Sequence, residues 1–363
     1  MLWGGYAGGN TGDELTLAVA LRDMRARFGD SVGIISKTPG YTRRQFKDLT
    51  VIPYAPTPLM TGAQRTYYRF ASRFLHRPVW LYRLAQQRPP NDGGVDWVAA
   101  VRASKLLYLV GGGYLTDLFD LDLSLLPALA AKRAGVPIAT GPLGIGPFES
   151  SGAARKTAAT LSGSDLAVRD PGSWQFCSRH GLAPRRAVDD GFRVREVVDF
   201  AADLGGRPDR KPRIGVNIIV QFGSRNPERA RSWWIDLLRR LAAAPVAIEA
   251  FCFHTDVLLD YAEAVECWTA AGLNPAAVRA PELDFRIGCS QLARFDLIVS
   301  ARFHAVVVGN VLGKVTFGVC DGDYYTRKMR AAAEGFARSQ PLDPIATPAE
   351  LAARRILDAA FAR

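Results

Sequence analysis

Short apolar runs separated by stretches of helical period fill most of this chain. In the first half the runs Ser31–Ser36, Leu49–Tyr54, Lys105–Val110, Val136–Thr140 and Asp165–Val168 read as strands. The octapeptide Gly205-Gly206-Arg207-Pro208-Asp209-Arg210-Lys211-Pro212 combines glycine, proline and charge, and reads as a linker. The pattern then restarts with Arg213–Val220, Val246–Phe253, Leu297–Ser300 and Val315–Val319. Strands alternating with helices imply βαβ units and mostly parallel sheets. An α/β chain of two Rossmann-like domains facing across a cleft is therefore expected, residues 1–204 forming one and 213–345 the other. Thr347-Pro348 then opens an amphipathic C-terminal helix within residues 346–363. In such folds ligands sit beyond the carboxyl ends of the strands, so the loops there should carry the chemistry.

Composition narrows the class. A length of 363 residues accommodates two domains, and 48% hydrophobic with 22% charged residues is the balance of a folded chain. No run of about 18 apolar residues spans a bilayer, and the N-terminus lacks a basic segment followed by an apolar core. The five cysteines, Cys177, Cys252, Cys267, Cys289 and Cys320, are scattered, without CxxC spacing, as reduced thiols would be. A cytoplasmic location is expected. Residues 1–200 hold +8 of the formal +11 charge, which suits an anionic partner such as a phosphate ester, a lipid pyrophosphate or a membrane surface.

Glycine marks the candidate loops. Gly4-Gly5-Tyr6-Ala7-Gly8-Gly9-Asn10-Thr11-Gly12-Asp13-Glu14 leads into a helix expected from Leu15 to Arg27. Its glycines let backbone N–H groups approach a ligand, and the helix N-terminus favours an anion. Asp13 reads either as the cap of that helix or as a carboxylate beside the ligand. Gly111-Gly112-Gly113 and Gly141 through Pro147 follow two further strands and read as turns. Gly9, Asn10, Gly112, Gly113 and Gly146 are thus expected to line the cleft.

The cations are placed at strand ends. Arg169 follows the strand ending at Val168, and reads either as a ligand residue or as a surface arginine bonded to its neighbour. Arg302 and His304 follow the apolar strand Leu297–Ser300, where alternation would aim both to one side. His304 reads either as a site residue or as a buried structural histidine, and Lys328, after the next strand, either as a further cation of the site or as a solvated lysine.

Taken in order, GGYAGGNTGDE, LVGGG, GIGP, VRD, SARFHA and YTRK resemble the polysaccharide pyruvyltransferase family over residues 2–330. The resemblance implies a GT-B-like architecture and an enzyme that uses phosphoenolpyruvate to build pyruvate ketals on sugars of exopolysaccharides or cell-wall polymers. It implies Arg169, Arg302, Phe303, His304 and Lys328 as phosphoenolpyruvate ligands, with Asp13 and His304 catalytic. Ala305 stands where the family usually has glycine, and Leu143 where glutamine is common; both bear on acceptor contacts rather than on the donor cations. Arginine offers a planar fork to a phosphate or carboxylate, and lysine a point charge. No HExxH, CxxC or His/Asp cluster occurs, so neither a metal nor a cofactor is expected beyond the donor substrate.

Arg65, Arg69, Arg73 and Arg77 recur every fourth residue among aromatics, with no acidic residue from Leu49 to Pro90. The segment 65–82 reads either as a peripheral membrane contact, next to a lipid-pyrophosphate-linked oligosaccharide acceptor, or as a solvated arginine face. Two competing functions remain open on sequence: a GT-B nucleotide-sugar glycosyltransferase, which would need an acidic residue for the ribose, and a non-catalytic polyanion binder. No nucleic-acid motif occurs, and a nucleic-acid partner is not expected.

Overall fold

A computed structural model describes residues 1–6, 8–54, 97–200, 211–220 and 226–362. The basic segment 65–82 and residues 205–210 of the expected linker lie outside the described residues. Two compact units make up the chain: Met1–Gly8 with Asp23–Ala187, and Gly9–Arg22 with Val188–Arg363. The division thus falls at Ala187 rather than near residue 204. Moreover, the segment that carries Asn10 and Asp13 groups with the second unit, not with the N-terminal one.

In the first unit the described strands are β1 (Leu2–Trp3), β2 (Gly33–Ser36), β3 (Thr50–Pro53), β4 (Leu107–Leu109), β5 (Gly112–Leu115), β6 (Ile138–Ile145), β7 (Asp165–Val168) and β8 (Pro184–Arg186). They pair in the parallel order β3-β2-β1-β4-β6-β7-β8, and β5 pairs with the far end of β6. Counting β4 and β5 as one interrupted strand, this extends the 3-2-1-4-5-6 order of dinucleotide-binding folds. The helices start where the sequence supplies side-chain acceptors. Asp120 accepts from Leu123 N–H, Ser150 from Ala153 N–H and Asp170 from Ser173 N–H. Trp3, Leu109, Leu115, Leu125, Leu143 and Leu166 are among the side chains that fill the core.

Two of the expected glycine turns are strand instead. Gly112 and Gly113 begin β5, and Gly141 through Ile145 continue β6. Only Gly146 makes a turn, at φ +74° before a cis bond to Pro147. Runs of glycine read as turns by composition, yet pairing with a neighbouring strand imposes extended geometry on them. Gly112, at φ +146°, sits where the register of β5 on β6 shifts, so the glycine run serves the irregularity between β4 and β5.

The second unit holds β9 (Arg213–Asn217), β10 (Ala247–Ala250), β11 (Leu297–Ser300), β12 (Val315–Val319) and β13 (Ser339–Leu342), all parallel, in the order β10-β9-β11-β12-β13. Renumbered from its first strand this is 2-1-3-4-5, the flavodoxin-like order, whose reversal lies between β9 and β11. Fully buried Trp234, Leu237, Trp268, Val299 and Phe317 anchor its core. The helix Pro227–Ala242 opens on Asn226, whose side chain accepts from Arg229 N–H, and the terminal helix Ala349–Phe361 packs on the same core.

Candidate functional site

The reversal of strand order in the second unit is marked by two fully buried polar residues. Asn217 ends β9 and Ser300 ends β11; they are register partners, and Ser300 Oγ lies 3.2 Å from Asn217 Oδ1. Ser300 Oγ also accepts the Arg302 N–H at 2.9 Å. The chain then turns into the helix Phe303–Val311, of which Arg302 is the N-cap residue. Strand alternation therefore stops at Ser300 and does not set the directions of Arg302 and His304. Arg302 reaches to Asp260, whereas His304 lies against Gly12.

Asp260 is a residue of the site that its sequence position does not reveal. It is fully buried and receives Arg302 Nε at 3.1 Å and Arg302 Nη2 at 2.5 Å on Oδ1. Its Oδ2 accepts Asn217 Nδ2 at 2.8 Å and the Phe253 N–H at 2.9 Å. Burial by itself would raise the Asp260 carboxyl, but the charge and hydrogen bonds of Arg302, with those of Phe253 and Asn217, hold it below the usual carboxylate range. Likewise burial disfavours the Arg302 cation, and the Asp260 charge more than restores it.

His304 is buried between two glycines. A Cβ built on Gly12 would lie 2.1 Å from His304 Nδ1, and one on Gly191 would lie 3.1 Å from His304 Cδ2. On its other side Nε2 lies 3.4 Å from Asp189 Oδ1, off the line of a hydrogen bond. The same Asp189 oxygen accepts the Gly191 N–H at 2.8 Å and thereby starts a short 3-10 turn.

The glycine-rich opening contributes through its second part. The helix runs Thr11–Phe28, four residues longer at its start than expected. Asn10 Oδ1 accepts the Gly12 N–H at 3.0 Å, so Asn10 takes the capping role. That leaves Asp13 in the first turn, partly exposed, within electrostatic range of Arg302 and His254. Gly9 adopts φ +83°, and a side chain there would meet Thr255 Oγ1 at 2.0 Å. His254 is a second missed residue: it bridges to Asn10, and its Nδ1 accepts the Asp256 N–H at 3.0 Å. Burial and the Arg302 charge lower its imidazole from the ordinary value. Its signal was position, at the end of the strand expected over Val246–Phe253.

Lys328 stands on the helix Asp323–Ala333 with Nζ 5.3 Å from the Phe303 ring, 5.0 Å from Tyr324 and 5.9 Å from Tyr325. Asp13, Arg302, Phe303, His304 and Lys328 thus belong to the second unit, while Arg169 belongs to the first. There, Arg169 donates its backbone N–H to Leu143 and lays its guanidinium over Gly144, whose Cβ would be 3.1 Å from Nη2. Among the described residues no group of three His, Cys, Asp or Glu side chains is disposed to hold a metal ion, and no helix is long and apolar enough to cross a membrane.

Residues 10–319 match the family model described as polysaccharide pyruvyl transferase. No curated protein matches the sequence. Among solved structures, a putative UDP-N-acetylglucosamine 2-epimerase from Listeria monocytogenes is similar at 12% identity and TM-score 0.59, over 100% of this chain and 87% of the other. HepE of Anabaena, in complex with UDP and glucose, is similar at 14% identity and TM-score 0.55, over 98% and 88%. At these identities the likeness speaks for the fold, two Rossmann-like sheets of GT-B type.

Proposed function

The chain belongs to the polysaccharide pyruvyl transferase family, and on that premise we propose that its donor is phosphoenolpyruvate, bound in the second unit at the strand-order reversal. The observation that carries this reading is the convergence there of Arg302, His304, Lys328 and Asp13 around one helix N-terminus. Phosphoenolpyruvate bears a phosphate and a carboxylate on one small molecule. Arg302 has its Nη1/Nη2 edge left after Asp260 has taken the other, Lys328 adds a point charge, and the start of the helix Phe303–Val311 favours an anion. A nucleotide-sugar site would call for an acidic residue toward a ribose, and this set is richer in cations than that requires.

In this reading a sugar hydroxyl adds to C2 of the donor while C3 takes a proton. Phosphate leaves with the electron pair of the C2–O bond, and a second hydroxyl then adds to C2 to close the ketal. Both hydroxyl protons must be accepted and one proton delivered. Asp13 suits the first task and His304 the second, a division worth about 10²–10⁴ in rate per group. The bound carboxylate offsets positive charge developing at C2. The acceptor class is a polysaccharide precursor; a lipid-pyrophosphate-linked oligosaccharide at the inner membrane face fits the +8 charge of residues 1–200.

Thermal-shift measurements with phosphoenolpyruvate and with UDP-sugars test the donor assignment. Stabilisation by phosphoenolpyruvate is expected, and stabilisation by a UDP-sugar alone overturns it.

A further inference from the structure

Asp260 has no obvious reason to be where it is. A carboxylate buried against the cation of an anion-binding site neutralises the charge that attracts the anion, and burying it is itself unfavourable. Yet the chain makes a distorted turn to put it there. Val257–Tyr261 forms a π-type turn in which Leu259 takes φ −99°, ψ −109°, outside helical geometry. Both ends of Arg302 are then tied to one network. The guanidinium is held by Asp260, which Asn217 holds in turn, and Asn217 contacts Ser300, which accepts the Arg302 backbone N–H. Asn217 is fixed further by donating to the Phe251 carbonyl at 3.2 Å. The residues come from β9, the turn after β10, and β11, so the network spans the strand-order reversal.

A guanidinium presents two usable forks, one along Nε and Nη2 and one along Nη1 and Nη2. Asp260 occupies the first, at 3.1 Å and 2.5 Å. We propose that Asp260 is the positioning residue for Arg302, fixing its plane so that the Nη1/Nη2 edge alone meets an anionic donor. The proposal rests on the reading that phosphoenolpyruvate binds here. The site gives up net charge for orientation.

The sign of one substitution separates orientation from simple charge balance. Asp260→Asn keeps the shape and removes the charge. Were Asp260 only a counter-ion, Arg302 would carry more uncompensated charge and phosphoenolpyruvate would bind more tightly. If Asp260 positions Arg302, the donor binds more weakly despite the added positive charge, by about tenfold or more. Titration calorimetry of the full chain with phosphoenolpyruvate, with far-UV circular dichroism to confirm folding, reads the result. Equal or tighter binding overturns the proposal. In an Arg302→Ala background, Asp260→Asn is expected to change donor affinity no further, and an added loss there also overturns it. Should Asp260→Asn fail to fold, Asp260→Glu keeps the charge and shifts the carboxylate by one methylene. A loss of donor affinity of about tenfold or more supports positioning, and unchanged affinity, as simple charge balance requires, refutes it. A wild type that does not bind phosphoenolpyruvate at all instead removes the donor assignment, so the two failures are distinguishable.

Discussion

The imidazole of His304 occupies the space a side chain would need at residue 12: a Cβ on Gly12 would sit 2.1 Å from His304 Nδ1 and 2.4 Å from its Cβ. Gly12 is buried in the first turn of the helix Thr11–Phe28, one residue before Asp13. The contact therefore registers two residues proposed for proton transfer, 291 positions apart in sequence, against each other.

Gly12→Ala should consequently cost activity out of proportion to stability. The methyl group has to displace His304, which is itself backed by Gly191 and Asp189. Turnover is expected to fall by about 10²-fold or more, with destabilisation of about 1–3 kcal/mol from overpacking. Steady-state kinetics beside thermal denaturation checks this; near-normal turnover would show that the His304 position is not critical.

Acid should weaken the fold in a step traceable to His254. Burial and the Arg302 charge lower its imidazole from 6.5, so below about pH 6.5 the unfolded chain takes up a proton that the folded chain does not. Stability is then lost as pH falls through that region. Asp260, held below its ordinary 3.8, acts in the same sense but only at lower pH still. Melting temperatures between pH 5 and 7 should fall with acid in the wild type and vary less in His254→Gln; identical slopes would exclude His254.

Lys328 is predicted to contribute charge rather than packing. Its amine lies among Phe303, Tyr324 and Tyr325, so Lys328→Met keeps apolar contact with the rings and loses the cation. Affinity for phosphoenolpyruvate should drop by about tenfold or more while the melting temperature changes little. The reverse pattern, a lower melting temperature with affinity retained, would make it a structural residue.

The cysteines should be inert in the native protein. All five are buried and free. Burial pushes the thiols of Cys177 and Cys320 up to about 11, those of Cys252 and Cys267 up to about 12, and that of Cys289 higher still. Mass spectrometry after iodoacetamide treatment at pH 8 should find none alkylated in the folded chain and all five after denaturation. Rapid labelling of any one in the folded chain contradicts this.

What the sequence made legible follows from what is local. β7, β11 and β12 announce themselves as apolar runs and match the expected strands residue for residue. The two-residue β1 carries too little pattern to be read, and β5 is hidden in a glycine run because pairing with β6, not propensity, makes it extended. The same divide holds at the site. Arg302 and His304 stand out because they follow an apolar run that reads as a strand, whereas Asp260 and Asp189 follow none directly. Each meets its partner only through the fold, across 42 residues to Arg302 in one case, and no spacing rule links them. Asp13 was visible as a carboxylate near a helix start, but only the hydrogen bond from Gly12 to Asn10 shows that capping falls to another residue.

Under the proposed function, the second unit's cations and Asp13 transfer the enolpyruvyl unit of phosphoenolpyruvate to a sugar. The most direct measurement incubates the protein with phosphoenolpyruvate and a panel of nitrophenyl or lipid-linked glycosides, and follows phosphate release together with the mass of the glycoside. Acceptor-dependent phosphate release matched by a gain of one pyruvyl unit is expected, abolished in Arg302→Ala and His304→Ala variants that remain folded. Pyruvylation that persists in both variants rules out this assignment of the site.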